Sequence, residues 1–418
     1  MFSYRKTLII FSTAYIYSLS LHYWSINFVR ISELIFFLLT IIFLLGIKTK
    51  FFKPTFNKVD IIISLFFLIN LIIFILKKNH SENIIGLLYS AYIFLIYYTY
   101  KNIFEKIDYK YFIKQIILLT LFTSFLSITG WILYQINIPN ILANERDYPF
   151  IIGKSVQSVA LYVTPNLLSF STIIGILFLI LFNTKFKTTT ILFLIFNLAL
   201  FFTFSKSIII YFGVLILIFG VKNKNKFLKK TFILISILTF FIHSFLTNFL
   251  LLDNSRNYEW LDNKYTHIES KPFYENSKIK IIYTNYYFLK LKSLTIIKDH
   301  YLFGIGYDNF KNQNKDFPIL INQKPHSAYF GIASEYGILG LLSILIIFYY
   351  NFKIARDNPN NFIYLLIIYL IFEGINTDII SLKLTWLIFA FNIHINKHLN
   401  NHNSKVKNSY KIYKSYLN

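Results

Sequence analysis

The chain has 418 residues, 56% of them hydrophobic, 20% aromatic and only 15% charged, with a mean hydropathy of +0.53, which excludes a soluble globular protein and predicts a polytopic membrane protein. A formal charge of +23 does not point to nucleic acid, because the lysines are spread over many loops and form no basic domain. The absence of cysteine excludes disulfides, thiolate metal sites and thiol nucleophiles, and nothing in the residue pattern calls for a metal or another cofactor.

In chain order, apolar runs of spanning length are predicted near 7–22, 31–47, 60–76, 84–100, 112–137, 163–183, 189–204, 207–221, 231–249, 327–350, 361–377 and 382–396, about twelve helices in all. The first run lacks a small-residue cleavage pattern and is expected to stay in the membrane. The expected class is therefore all-α, with one long loop between the ninth and tenth helices. The expected parts are transmembrane helices over 1–249, a loop with short helices over 250–326, three further spans over 327–396 and a basic tail over 397–418.

Alternate loops divide the cations unequally, about 23 against 7, with Lys101 counted on the rich side. The positive-inside rule then puts both termini in the cytoplasm, and it turns the long loop and a shorter one near 138–162 outward. The tail reads as an anchor beside anionic lipid. Chemistry could be assembled between the two outward loops.

The long loop holds Arg256, Trp260, and a Tyr-rich stretch at Tyr283, Tyr286 and Tyr287, which reads as an interfacial aromatic belt or as sugar-stacking rings. The Phe303-Gly304-Ile305-Gly306 segment has no third glycine and no strand before it, so it reads as a tight surface turn rather than a nucleotide loop. The loop ends at Lys324-Pro325-His326-Ser327, where a histidine meets an apolar run. That junction makes His326 the first candidate for chemistry.

Three patches resemble the O-antigen ligase and O-antigen polymerase superfamily. They are Thr164-Pro165-Asn166-Leu167-Leu168, Phe204-Ser205-Lys206-Ser207, and the 303–306 turn joined to Pro325-His326-Ser327 and the Glu335-x-Gly337-x-x-Gly340-Leu341-Leu342 run. The resemblance covers roughly 160–350 and implies transfer of a glycan from undecaprenyl pyrophosphate at the outer face of a bacterial inner membrane. It implies a metal-independent glycosyltransferase of lipopolysaccharide or other surface-polysaccharide biosynthesis, with a chain-length regulator and a flippase as partners. The family commonly has Arg where this chain has Lys206, and often Asn where it has Ser327.

Such a transfer needs a group to accept the acceptor hydroxyl's proton and positive charge to offset the departing pyrophosphate. Histidine titrates near neutral pH, so His326 is assigned the first task. Arg256, Lys206 and Arg146 are candidates for the pyrophosphate, Lys206 standing between phosphate contact and snorkelling, and the two arginines between phosphate contact and solvated loop charge. Counted at 100° per residue, Glu335 falls on the helix face opposite His326 and reads as a helix–helix contact. Gly337 and Gly340 read as close-packing positions. Asn166, Glu373 and Asp378 are further structural or substrate-path candidates.

The favoured reading is a polymerase joining one lipid-linked repeat to another. The alternative is a ligase transferring glycan to lipid A core or to protein. A flippase is disfavoured, because the two halves show no matching hydropathy.

Overall fold

The structure is a computed structural model that describes residues 2–21, 25–26, 29–76, 80–148, 153–182, 186–222, 225–253, 272–313, 323–357 and 363–396. Helices α1 (Phe2–Ser18), α2 (Ile31–Lys48), α3 (Lys58–Leu76), α4 (His80–Phe104) and α5 (Tyr109–Gln135) come first. A hairpin of β3 (Ala143–Tyr148) and β4 (Gly153–Ser158) precedes α6 (Pro165–Phe182), α7 (Phe186–Phe202), α8 (Ser207–Lys222) and α9 (Lys226–Asn248). An antiparallel sheet follows, with β5 (Phe249–Asp253) and β6 (Tyr274–Glu275) flanking β7 (Ile279–Tyr283). Then come α10 (Asn285–Asp299), α11 (Ala328–Arg356), α12 (Ile363–Glu373) and a final helix, α13, over 383–396. A two-stranded β1 (Ser25–Ile26) and β2 (Val29–Arg30) joins α1 to α2.

Each predicted apolar run falls on a helix, and the chain is mostly helical as expected, with short β-structure added in the connecting segments. The two loops expected to face outward contain β-structure: a hairpin over 143–148 and 153–158, and a sheet whose central strand, 279–283, has the β-branched and aromatic residues that suit pairing. The count of about twelve spans is not met by length alone. Among the described residues, α2, α3, α4, α5, α9 and α11 are long and apolar enough to cross a bilayer, whereas α6, α7, α8 and α12 are shorter apolar helices.

The helix faces explain the membrane setting. On α2, Ser32, Phe36, Leu39, Phe43 and Gly46 recur every three or four residues and are buried, while Phe37, Leu38, Ile41, Leu44 and Leu45 on the other side are exposed. A helix apolar on both faces can be satisfied by protein on one side and hydrocarbon on the other. Small residues bring some helices close. A Cβ at Gly213 of α8 would overlap Thr239 and Phe240 of α9, and Ser236 donates a hydrogen bond to the Gly213 carbonyl (2.8 Å), as interhelical contacts in lipid require. Lys101 is not the loop charge the topology count assumed. It lies inside α4, buried, and pairs with Asp60 at 2.5 Å while donating to the Thr55 carbonyl.

The helix α11 is interrupted. Gly337 has φ 68° and ψ −170°, so the carbonyls of Ser334 and Glu335 are left without helical partners. The buried Gly304–Gly306 turn supplies them: Ile305 N–H donates to Ser334 (3.0 Å) and Gly306 N–H to Glu335 (2.8 Å), while Ile338 N–H donates to Tyr301 (2.9 Å). The turn is thus an interior lock, not a surface feature, and Gly337 is both a helix break and a position of close packing, since a Cβ there would overlap the Leu302 backbone. It anchors the end of the long loop, and with it the segment leading to His326, onto α11.

Candidate active site

A cavity of about 400 Å³ lies at the end of the bundle that carries the 143–158 hairpin and the 249–283 sheet. Helix N-termini surround it: Thr164 to Leu167 at α6, Phe204 to Ser207 at α8, Tyr286 in the first turn of α10, and His326 before α11. The last turns of α9 add His243 and Thr247, and the segment after α12 adds Asn376, Thr377 and Asp378. Helix N-termini carry the positive ends of their dipoles, so this convergence suits an anion.

His326 sits two residues ahead of α11, not on it. Ser327 is the N-cap, its hydroxyl accepting from Phe330 N–H (3.4 Å) and donating to the Gly374 carbonyl (3.3 Å). Ala328 N–H is held by the carbonyls of Gly374 (2.9 Å) and Thr377 (3.2 Å). Serine at 327 therefore has a clear local task, since a hydroxyl at this position satisfies an orphan helix donor. The His326 ring packs edge-on against Tyr286, with centroids 4.6 Å apart. The imidazole is exposed to the cavity, and desolvation by the surrounding chain first, then the Lys290 charge, lowers its pKa from 6.5 to about 4. It is neutral at physiological pH and able to take a proton.

Lys206 lines the same cavity. Its ammonium donates to the carbonyl of Leu246 near the end of α9, where a cation is favoured by the helix dipole. An ammonium has three donors, so this contact can coexist with others. The preceding turn is tight: Phe204 is left-handed at φ 46°, an unusual conformation for a bulky residue. The Gln157 side chain of β4 braces it by donating to the Thr203 (3.0 Å) and Phe204 (3.4 Å) carbonyls. Asn166 joins this group, its side-chain oxygen accepting from Ser205 (2.9 Å).

The remaining predicted residues are placed differently. Glu373, buried, accepts from Ser207 (2.8 Å) and Thr377 (2.7 Å) and so ties α12 to α8 beneath the cavity. Glu335 lines a separate cavity of about 50 Å³ with Tyr89, Tyr307, Lys324 and Asp378. The helical count that placed it opposite His326 does not apply, because the helix begins after His326. Asp378 lines both cavities. Arg146 has its backbone on β3, with its side chain outside the described residues, and Arg256 lies outside them altogether.

Six cavity residues were not singled out from the sequence: His243, Thr247, Asn376, Thr377, Ser381 and Leu382. Nor was Lys290 of α10, which donates to the Asn376 side-chain oxygen (2.5 Å). Tyr286 was read as part of an aromatic belt and instead faces His326. A signal existed for His243, an ionisable residue in an apolar span. Lys290 stood in a polar loop among many lysines and offered none.

No curated protein shows significant similarity to the chain. Residues 190–345, which hold Lys206, His243, Tyr286, Lys290 and His326, match the family model described as O-antigen ligase. This segment is similar to the O-antigen ligase family, and the match supports the resemblance to the O-antigen ligase and polymerase superfamily.

Proposed function

We propose that the protein is a surface-polysaccharide polymerase, transferring a glycan from undecaprenyl pyrophosphate onto the acceptor sugar of a second lipid-linked repeat. The observation that supports this reading is the convergence of His326, Lys206 and several helix N-termini on one cavity, within and beside the matched segment. The acceptor hydroxyl oxygen attacks the anomeric carbon as the bond to the pyrophosphate oxygen breaks. The hydroxyl proton passes to His326, and the polyprenyl pyrophosphate leaves with its charge offset by Lys206 and the surrounding backbone N–H groups. Asn166 shapes the phosphate side of the cavity through Ser205, and Arg146 and Arg256 complete the cationic set. On this reading the cavity is periplasmic, both termini are cytoplasmic, and a flippase and a chain-length regulator act before and beside the enzyme.

Lys206 and Ser327 stand where the stricter ligase pattern has Arg and Asn, which favours polymerase over ligase. A deletion strain tests the choice. A polymerase defect removes the polysaccharide ladder but leaves single repeats on the core, whereas a ligase defect removes both and accumulates lipid-linked polymer. In that strain, His326→Ala should lower polymer formation by about 10²- to 10⁴-fold, the usual contribution of a positioned base, while Lys206→Arg should retain activity. Full activity of a membrane-inserted His326→Ala protein would remove the proton-accepting role.

A further inference from the structure

Asn376 stands between a lysine and a histidine, and that placement determines which way round its amide sits. The Lys290 ammonium can only donate, so the amide oxygen faces it at 2.5 Å. The amide nitrogen then faces Nδ1 of His243 at 3.0 Å. Because that nitrogen donates, Nδ1 must offer its lone pair, and the ring proton resides on Nε2. The arrangement is shielded from exchange with water, since Lys290, Asn376 and His243 are 8%, 8% and 3% exposed.

We infer that His243 is a neutral hydrogen-bond donor to an anionic phosphate oxygen of the substrate, its proton held on Nε2 by Lys290 acting through Asn376. The inference rests on the pyrophosphate reading of the cavity. His243 lines that cavity together with Lys206, and Lys206 is seated on the carbonyl of Leu246, three residues further along α9. Protonating Nδ1 would break the Asn376 contact and add a further positive charge beside two lysines, so the ring acts as a donor without becoming an imidazolium. The two histidines then have opposite tasks, His326 accepting a proton and His243 offering one in a hydrogen bond. One turn positions both, because Gly374 and Thr377 hold Ala328, two residues after His326, while Asn376 between them holds His243.

The test uses the full chain labelled with 15N-histidine in detergent micelles, the His243 signals being identified by their loss in His243→Gln. The wild type should show a neutral His243 ring with its proton on Nε2, and Asn376→Asp should move a proton onto Nδ1, because a carboxylate can only accept there. A wild-type ring protonated on Nδ1, or an imidazolium at neutral pH, overturns the inference. Inorganic pyrophosphate should shift the Nε2 signal, and its affinity should fall about 10- to 100-fold in His243→Phe but only a few-fold in His243→Gln, whose amide still donates. Equal affinity in His243→Phe and wild type overturns the donor role and leaves the pyrophosphate reading standing. Failure of the wild type to bind pyrophosphate overturns both.

Discussion

The imidazole of His326 lies against Tyr286 and within the field of Lys290, and that setting determines how catalysis should depend on pH. A base must be unprotonated to act, and a pKa lowered to about 4 keeps the neutral form dominant at every higher pH. Activity should therefore hold level as pH falls through 6.5 and decline only as it passes about 4, with kcat/KM measured in proteoliposomes. Lys290→Met removes the second cause of the shift, so the inflection should move upward, towards 6.5. An acid limb at or above 6.5 in the wild type would show that the ring is not in this environment. The sequence singled out His326 because it ends a polar loop at an apolar run. Its neighbours were not legible: Tyr286 is 40 positions away, and only the fold of the loop brings its ring to the histidine.

Between the last part of the long loop and α11, the link is backbone to backbone. The break at Gly337 frees two carbonyls, and the Gly304–Gly306 turn fills them, so two glycine-rich patches that look independent in sequence form one joint. A Cβ at Gly337 would meet the Leu302 carbonyl, and the residue is left-handed. Gly337→Ala should then cost at least about 1–3 kcal/mol, the range for a strained backbone position, read as a lower melting temperature in detergent. Gly331→Ala is the matched control in the same helix, since nothing lies within 4 Å of the added Cβ; its melting temperature should be unchanged or slightly raised, because alanine favours helix. Equal effects at the two positions would contradict the joint. The existence of helices was legible from apolar run length. The break was not, because a Glu-x-Gly-x-x-Gly run reads equally well as a helix packing face.

Across the whole molecule, the hairpin of 143–158, the 249–283 sheet and the cavity occupy one end of the helical bundle, and the buried Lys101–Asp60 pair occupies the other. If the cation asymmetry sets orientation, single cysteines introduced at Asn276 and at Lys229 should react from opposite sides of intact cells and inverted vesicles with a membrane-impermeant maleimide. The chain has no native cysteine, so the labelling needs no background correction. Reaction of both positions from the same side would refute the topology.

Composition and run length alone determined that this is a helical membrane protein, because a bilayer demands apolar segments of a set length with internally satisfied backbones. A histidine and a lysine also stood out beside apolar runs, and an asparagine stood out through the family resemblance of the 164–168 patch. Only the tertiary structure decided that these three line one cavity, that Glu335 lines another, and that His243, Asn376 and Lys290 form a chain of hydrogen bonds beside them. The reason is physical: periodicity reports which face of an element is apolar, whereas a site depends on where the ends of separate elements meet. Those ends are placed by local contacts such as the Ser327 cap, the Gln157 brace and the Gly337 break, and none of them leaves a periodic trace in the chain.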